Sequence, residues 1–282
     1  MASARRPEHQ APPDVFYNEA EAQKYTSNSR MIEIQEKLTE RALELLNIPD
    51  EKPYFILDIG CGSGLSGEVL TNEGHYWIGV DISEAMLGVA IEREVEGDLF
   101  LGDMGQGLYF RPGTFDYCIS ISALQWLCNA DKRDHNPVKR LYKFFTSLYG
   151  CLARGGKAVF QFYPESPNQV ELITTQAMKA GFTGGIVVDY PNSTRAKKMF
   201  LCLFAGAPSA KLPKGLGAEE SSDVGDTVKF SGKRERYAKV PRGKSIKKSK
   251  DWIQAKKDRR RRQGKEVRQD SKYTGRRRKT VF

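Results

Sequence analysis

A short apolar strand that runs directly into a glycine turn constrains this chain more than any other feature. The segment Ile56-Leu57-Asp58-Ile59-Gly60-Cys61-Gly62-Ser63-Gly64 begins apolar and ends with glycines at alternate positions. Because glycine lacks a Cβ atom, a ligand can lie against the backbone of such a turn. The spacing Gly62-x-Gly64-x-x-Gly67 is also a dinucleotide fingerprint, although a weak one when it stands alone. The segment therefore predicts a ligand-binding turn after a buried strand.

Apolar runs alternate with helical patterns through residues 1–204. Strands are predicted over 54–59, 76–80, 99–102, 115–121, 157–162, 186–190 and 198–204; helices are predicted over 16–47, 66–72, from 83, over 137–152 and over 168–180. This alternation favours a parallel sheet with helices on both faces. The last two strands are too close in sequence for a helical crossover, so they should form an antiparallel hairpin. The predicted fold class is α/β and Rossmann-like, with a seven-stranded, mostly parallel sheet and an antiparallel last strand.

Charge divides the chain into an acidic body and a basic tail. The 282 residues carry a formal net charge of +10, yet residues 1–204 carry −6 and residues 205–282 carry +16. We predict a domain over 1–204 with an N-terminal helical cap over 1–50, a linker over 205–228 and a disordered basic tail over 229–282. Such a tail predicts a polyanionic partner. RNA binding, nuclear import and simple solubilisation are all open for it.

Composition disfavours several other classes of protein. No apolar run approaches the ~18 residues of a membrane helix, and the polar N-terminus lacks the apolar region of a secretion signal. The five cysteines form no C-x-x-C pair, which fits neither a zinc site nor a disulfide framework. We expect no membrane contact, no bound metal, and reduced, mostly buried cysteines. The three histidines are scattered along the chain, so we expect no catalytic role for them.

Two aspartates follow the next two predicted strands and help to distinguish between the candidate classes of ligand. Asp81 lies 21 residues after Gly60, where its two oxygens can accept both hydroxyls of an adenosine ribose. Asp103 follows the third strand, where its carboxylate can accept the adenine amino group and the amide of Met104 can face a ring nitrogen. A nicotinamide dehydrogenase is an alternative, although no second catalytic domain follows. A second alternative is that these residues only form turns.

This set of motifs, with the reversed last strand, resembles the class I S-adenosylmethionine-dependent methyltransferases. Longer segments look very like one family within that class, the eukaryotic 18S rRNA guanine-N7 methyltransferases, encoded in the Williams–Beuren region in humans. These segments are 74–81, 102–107, 122–129, 187–193, 261–268 and 273–276. The likeness covers essentially the whole chain and is weakest over 205–232. The glycine turn is common to all class I enzymes, whereas the tail and Gln125-Trp126 narrow the resemblance to this family.

The resemblance implies S-adenosylmethionine as cofactor and N7 of one guanine in 18S rRNA as the methylated atom. It also implies roles in pre-rRNA processing and in biogenesis of the 40S subunit on the pre-40S particle, in the nucleolus and nucleoplasm, with a cytoplasmic pool. The cofactor contacts that it implies are Asp58, Gly60, Cys61, Gly62, Gly64, Asp81, Ile82, Asp103, Met104 and Ser120.

A small zinc-binding methyltransferase activator subunit is a further implication of the resemblance. In that family the activator forms a heterodimer by pairing with the exposed edge of strand three. Leu99, Phe100 and Leu101 are compatible with such pairing, because they are too apolar for a free sheet edge. The alternative is that flanking loops cover this strand within the monomer.

For this chemistry we expect residues that position the base rather than a general base. Guanine N7 carries an in-plane lone pair, so the nucleophile needs no deprotonation. The base must be unpaired and held by stacking and by donors to O6. The candidates are Trp126, Tyr163, Tyr17 and Tyr25 as stacking walls, and Gln125 and Arg30 as donors. For Trp126 and Tyr25 the alternative is simple core packing, and for the two donors it is a solvated or capping role.

Two other functions are open from the sequence. The first is a ribosome-assembly factor whose RNA binding, rather than methylation, is the essential output. The second is a small-molecule or protein methyltransferase, which the fold permits and the basic tail disfavours.

Overall fold

The computed structural model describes residues 6–49, 52–132, 135–193, 196–206, 212–217, 257 and 269–270. The chain divides into two units, Met1–Glu219 and Glu220–Phe282. All strands and helices reported below belong to the first unit. In the second unit, Lys257 Nζ forms an ion pair with Asp270 Oδ1 at 2.7 Å. The rest of the predicted basic tail, and most of the predicted linker, lie outside the described residues.

One seven-stranded sheet organises the first unit. Its strands are β1 (Phe55–Ile59), β2 (Tyr76–Asp81), β3 (Asp98–Leu101), β4 (Phe115–Ile121), β5 (Leu152–Phe162), β6 (Thr183–Asp189) and β7 (Lys198–Phe204). They lie in the order β3-β2-β1-β4-β5-β7-β6. Strands β1 to β5 pair in parallel, whereas β7 is antiparallel to both β5 and β6. The predicted fold class is confirmed, including the reversed last strand.

Helices cover both faces of this sheet. They are α1 (Pro13–Phe16), α2 (Glu19–Ser27), α3 (Ser29–Leu46), α4 (Leu65–Asn72), α5 (Glu84–Glu92), α6 (Pro137–Cys151) and α7 (Pro167–Lys179). On one face, α6 and α7 pack through a core that includes Phe144, Phe145 and Ile173. On the other face, α3 and α4 pack through Leu46 and Leu70. Because both faces are covered, the central strands are apolar on both sides, as parallel strands usually are.

The N-terminal region forms three helices, so the single helix predicted over 16–47 was wrong. Two asparagines interrupt it. The side chain of Asn18 accepts a hydrogen bond from the backbone N–H of Glu21 at 3.1 Å, and the side chain of Asn28 accepts two at the start of α3. Side chains of this kind satisfy the free N–H groups of a first turn and start a new helix. Helix α3 ends at Leu46, where Asn47 adopts a left-handed conformation with φ 47°.

Strand β5 begins at Leu152, earlier than the predicted Lys157. Leu152 pairs with Phe115, and the register then shifts before regular pairing resumes at Lys157. Gly155, with φ +84°, lies in this irregular part. A polar, glycine-containing stretch therefore extends the strand even though it breaks the apolar run that predicted the boundary.

Residues 212–217, within the predicted linker, are hydrogen-bonded to the end of β6. The backbone N–H of Leu216 donates to the carboxylate of Asp189 at 2.8 Å, and its carbonyl accepts from the N–H of Tyr190 at 2.6 Å. The same carboxylate lies 2.9 Å from Nε of Arg41 on α3. The side chain of Asp189 is 3% exposed, and that of Arg41 is 15% exposed. Asp189 therefore joins α3, the end of β6 and this segment.

None of the helices in the described part of the chain is both long and apolar enough to cross a bilayer. Four of the five cysteines are buried, and Cys128 is partly buried. This placement confirms the predicted burial of most of the cysteines. Within the described ranges, no group of three or more His, Cys, Asp or Glu side chains is arranged to hold a metal ion.

Replacement of Asp189 by alanine is expected to lower the free energy of unfolding by about 1–3 kcal/mol, because Arg41 keeps only Glu44 as an ion-pair partner among the described residues and the backbone N–H of Leu216 loses its acceptor. Urea denaturation followed by tryptophan fluorescence measures the change. Glu33→Ala is the matched control, since it breaks an ion pair with Lys37 whose side chains are 64% and 68% exposed. That control should change stability by at most about 0.5 kcal/mol. Equal losses in the two variants would contradict the role of Asp189.

Candidate active site

A cleft opens at the carboxyl ends of β1, β2 and β4. It encloses about 1120 Å³ of space, a volume that includes its open mouth. In open α/β sheets, ligands bind where the strand order reverses, and here that point lies between β1 and β4. The cleft is lined by the glycine turn, by the loops after β2, β3 and β4, and by the N-terminal helices.

The glycine turn forms one wall of the cleft and depends on Asp81. Gly60 and Gly62 have φ values of +71° and +53°, a conformation that favours glycine. The Asp81 carboxylate accepts the backbone N–H of Gly62 and that of Ser83, both at 2.8 Å. Burial raises the pKa of Asp81, and these backbone hydrogen bonds act in the opposite direction. Each carboxylate oxygen keeps a lone pair with which it can accept a ligand hydroxyl.

Asp58 lies beneath this turn and is completely buried. Its Oδ2 accepts the hydroxyl of Ser66 at 2.6 Å, while its Oδ1 has no hydrogen-bond partner among the described residues. Burial raises the pKa of Asp58 to about 7. A buried carboxylate in β1, two residues before Gly60, favours a cation nearby in its ionised form.

An ion pair between Asp103 and Arg140 forms another wall. Nη2 of Arg140, on α6, donates to both carboxylate oxygens at 2.7 and 3.0 Å, and Oδ1 also accepts the N–H of Gly105 at 2.8 Å. A Cβ on Gly105 would lie 2.3 Å from Nε of Arg140. The guanidinium therefore occupies space that only a glycine leaves open. His135 contacts the other side of Arg140 at 3.0 Å.

Aromatic side chains from α1, α2 and the segment after β4 cover the mouth of the cleft. Tyr17 lies 6.0 Å from both Tyr25 and Trp126, measured between ring centroids, with edge-to-face geometry. Burial raises the pKa of both tyrosines well above the usual range. The hydroxyl of Ser83 donates to the carbonyl of Tyr17 at 2.8 Å, so the cap is bonded to the loop that follows Asp81.

Most of the predicted site residues meet in this cleft. The lining residues among them are Gly60, Cys61, Gly62, Asp81, Ile82, Asp103, Met104, Trp126, Tyr17 and Tyr25. The others lie outside its lining, namely Asp58, Gly64, Ser120, Gln125, Tyr163 and Arg30.

The three predicted positioning residues outside the cleft have other environments. The side-chain amide of Gln125 donates to the carbonyl of Ser122 at 2.8 Å, which turns it toward the backbone. The hydroxyl of Tyr163 accepts from Nζ of Lys198 at 3.1 Å. Arg30 is exposed on the first turn of α3. The structure therefore does not bring these three side chains to the cleft.

The sequence interpretation missed several polar residues of the cleft, and two of them have distinctive environments. Gln35 is only 7% exposed, and its side-chain amide has no hydrogen-bond partner in the part of the chain that the structure describes. A glutamine on the apolar stripe of α3, between Ile34 and Leu38, was the available signal. The second is Arg140, whose role depends on contacts across more than thirty residues, so no local pattern indicated it.

Comparisons of the sequence with known proteins find methyltransferases. The family model described as "Methyltransferase domain" matches residues 57–160, and the model described as "Methyltransferase involved in Williams-Beuren syndrome" matches residues 203–280. The 18S rRNA (guanine-N(7))-methyltransferase of Mus musculus is 60% identical and covers 100% of both chains. The 18S rRNA (guanine(1575)-N(7))-methyltransferase of Saccharomyces cerevisiae is 50% identical and covers 98% of this chain and 99% of its own.

Solved structures support the fold alone. A phosphoethanolamine N-methyltransferase 2 from Haemonchus contortus, in complex with S-adenosylhomocysteine, is 18% identical with a TM-score of 0.51, over 68% of this chain and 58% of its own. A TehB-like S-adenosylmethionine-dependent methyltransferase from Corynebacterium glutamicum is also 18% identical, with a TM-score of 0.50 over 67% and 99%.

The raised pKa of Asp58 predicts a pH-dependent loss of stability in the ligand-free protein. The folded state holds this proton up to about pH 7, whereas an unfolded aspartate loses it near pH 3.9. The stabilising contribution is therefore complete below pH 3.9 and is lost as pH rises through 7. Relative to Asp58→Asn, the wild-type protein should lose on the order of 2 kcal/mol between pH 5 and pH 8. Urea denaturation at each pH measures this, and parallel profiles of the two proteins would contradict it.

Proposed function

The chain belongs to the family of 18S rRNA (guanine-N7)-methyltransferases, and we propose from this that it transfers a methyl group from S-adenosylmethionine to N7 of one guanine in 18S rRNA. The observation that carries the proposal is identity of 50–60% over essentially the whole chain, tail included, with relatives from yeast to mouse that bear this name. Methylation of 18S rRNA places the protein in ribosome biogenesis.

The cleft suits a cofactor that combines an adenosine with a cation. Asp81 accepts the ribose hydroxyls, and Asp103 with the backbone of Met104 faces the adenine. The glycine turn leaves room for the remainder of the cofactor against the backbone. Asp58, in β1 just before the glycine turn, has a carboxylate oxygen without a hydrogen-bond partner among the described residues, and its ionised form favours a positive charge nearby.

Positioning is the main catalytic task of this site. S-adenosylmethionine supplies the methyl group on a sulfonium, which is already an activated electrophile. Guanine N7 forms the new bond with its own lone pair, so no residue has to remove a proton. The cap formed by α1 and α2 excludes water and holds the base in line with the methyl group. The π-faces of Tyr17 and Trp126 stabilise the positive charge that the purine gains.

The base subsite combines the aromatic cap with Gln35. Trp126 and Tyr17 line the cleft and contact each other, which gives two aromatic faces for an unpaired guanine. The unpartnered amide of Gln35 lines the same cleft. An amide can donate to O6 and accept from N1–H of guanine. This assignment replaces Gln125, whose amide is bonded to the backbone.

Gln35→Ala and Trp126→Phe are expected to reduce methylation roughly tenfold, because each removes a contact to the base. Binding of S-adenosylhomocysteine, measured by calorimetry, should stay within about twofold of wild type. The matched control is Gln23→Ala, which removes an exposed glutamine amide from α2. A parallel loss of methylation and cofactor binding would assign these residues to the cofactor and reject the base subsite.

The edge of the sheet supports a heterodimer with a small zinc-binding activator subunit. Strand β3 lies at the edge, and Phe100 and Leu101 on it are 48% and 61% exposed. Phe110, in the loop between β3 and β4, packs edge to face on Phe100, and Leu101 stays largely exposed beside it. An apolar strand with free backbone groups favours pairing with a strand of another protein.

Leu101→Lys should abolish co-purification of the activator from cells, because it places a charge in the apolar part of the interface. Met178→Lys is the control, since Met178 is exposed on α7, away from β3. Quantitative mass spectrometry of the purified protein measures the ratio of the two subunits. Retention of the activator at the wild-type ratio in Leu101→Lys would exclude this edge as its binding site.

The basic tail supports RNA binding and nuclear localisation. Lys229–Phe282 carries a net charge of +18, which suits contacts with RNA phosphates and recognition as an import signal. A protein with this tail and this substrate acts in the nucleolus and nucleoplasm on the precursor of the small subunit.

Imaging of a tail-deleted, fluorescent variant tests the import role of the tail. Unchanged nuclear accumulation of that variant would reject the import role.

Borohydride–aniline cleavage, which breaks RNA at N7-methylguanine, tests the central proposal. Cells that lack their own copy should show one cleavage product in 18S rRNA when they express the wild-type chain. That product should be lost with Asp81→Lys, because the added cation disrupts the ribose site, and kept with Glu40→Lys, an exposed control on α3. The same product in cells without the protein would reject guanine-N7 methylation. Small-subunit maturation in the Asp81→Lys cells shows whether methylation or binding is the essential output.

A further inference from the structure

Helix α6 differs from its neighbours in charge. Its sequence contains Lys139, Arg140 and Lys143 and no acidic residue. Each of the other described helices of eight or more residues contains at least one Asp or Glu. This basic helix belongs to a body whose net charge over residues 1–204 is −6. The positive charge of α6 therefore does not simply reflect the average charge of the body.

The cations of α6 divide between the cleft and the solvent. Arg140 lines the cleft and is paired with Asp103. Lys139 and Lys143 are exposed one turn apart, and neither forms an ion pair with another described residue. Lys132, in the loop before α6, is exposed and also lines the cleft. Lys132 thus adds a cation to the cleft lining beside Asp131, while Lys139 and Lys143 leave unpaired positive charge on the outer side of the helix.

Two apolar side chains share this exposed side. Val138 and Tyr142 are 46% and 45% exposed and lie one turn apart, beside the two lysines. A half-exposed tyrosine between unpaired lysines is a common arrangement for single-stranded RNA, because phosphates bind the cations and a base stacks on the ring. The other face of α6 packs into the core, where Leu141, Phe144 and Phe145 are buried.

We propose that the exposed side of α6, formed by Val138, Lys139, Tyr142 and Lys143, binds the RNA strand that flanks the target guanine, together with Lys132 in the loop before the helix. This inference rests on the proposed function and adds the path of the substrate beside the cleft. The occupant is RNA because the surface combines unpaired cations with a stacking ring in an otherwise acidic body. It binds backbone phosphates, so it orients the strand without reading its sequence.

The test uses the full chain and an unmodified 18S rRNA fragment made by transcription. Lys139→Gln/Lys143→Gln is compared with Lys37→Gln/Lys179→Gln, which removes two exposed lysines from α3 and α7. The α6 variant should raise the Kd for RNA about 3- to 10-fold and lower the slope of log Kd against log salt by about 1–2. Tyr142→Ala should raise the Kd and leave that slope unchanged. Binding of S-adenosylhomocysteine and the melting temperature should match the control.

Two results would overturn the inference. The first is an α6 variant that binds RNA with the affinity and salt slope of the control variant. The second is unchanged RNA affinity together with loss of a co-purifying protein, which would make this side of α6 a protein interface. The cleavage assay on wild-type cells distinguishes failure of the proposed function from failure of the α6 proposal alone. A missing N7-methylguanine product there rejects the proposed function, whereas a normal product beside unchanged RNA binding rejects this inference alone.

Discussion

The carboxylate of Asp81 is the interaction on which the cleft depends. It accepts one N–H from the glycine turn after β1 and one from the loop after β2, so a single side chain holds both loops at the distance that the cleft requires. The hydroxyl of Ser83 then bonds the second loop to the N-terminal cap through the carbonyl of Tyr17. The walls and the cover of the cleft are therefore linked through residues 81–83, and the backbone hydrogen bonds favour the ionised carboxylate that ligand hydroxyls need.

A second linkage lies at β6, the edge strand on the side of the sheet away from β2 and β3. Asp189 is paired with Arg41 and bonded to the backbone of Leu216, which joins the long N-terminal helix to the last strands. Asp189 thus attaches α3 to the edge strand β6, and Asp81 is linked to the segment after α1 through Ser83. The cap therefore rests on the rigid sheet and not only on its own apolar contacts, which suits a site whose work is positioning.

The sheet and the cofactor loops could be predicted because their signals are local. Apolar runs predicted each strand, the short connection predicted the reversed β7, and Asp81 was found from its position after a strand. The base subsite could not be predicted in the same way. Gln125 and Gln35 are the same residue type, and only the folded chain shows that the first amide bonds its own turn while the second faces the cleft. The break at Asn28 was missed because the apolar periodicity that predicted the helix runs from Met31 to Leu46, entirely after Asn28. The contact of Arg140 with Gly105 was missed because it joins distant elements.

The exposed β3 edge also has a consequence for how much of this protein a cell can maintain. Phe100 and Leu101 present apolar side chains beside unpaired backbone groups, and such an edge recruits further strands, including those of identical chains. A molecule whose edge is uncovered is therefore a substrate for aggregation and for quality control. An isolated chain is therefore expected to aggregate at a lower concentration than a chain whose β3 edge is paired with another strand.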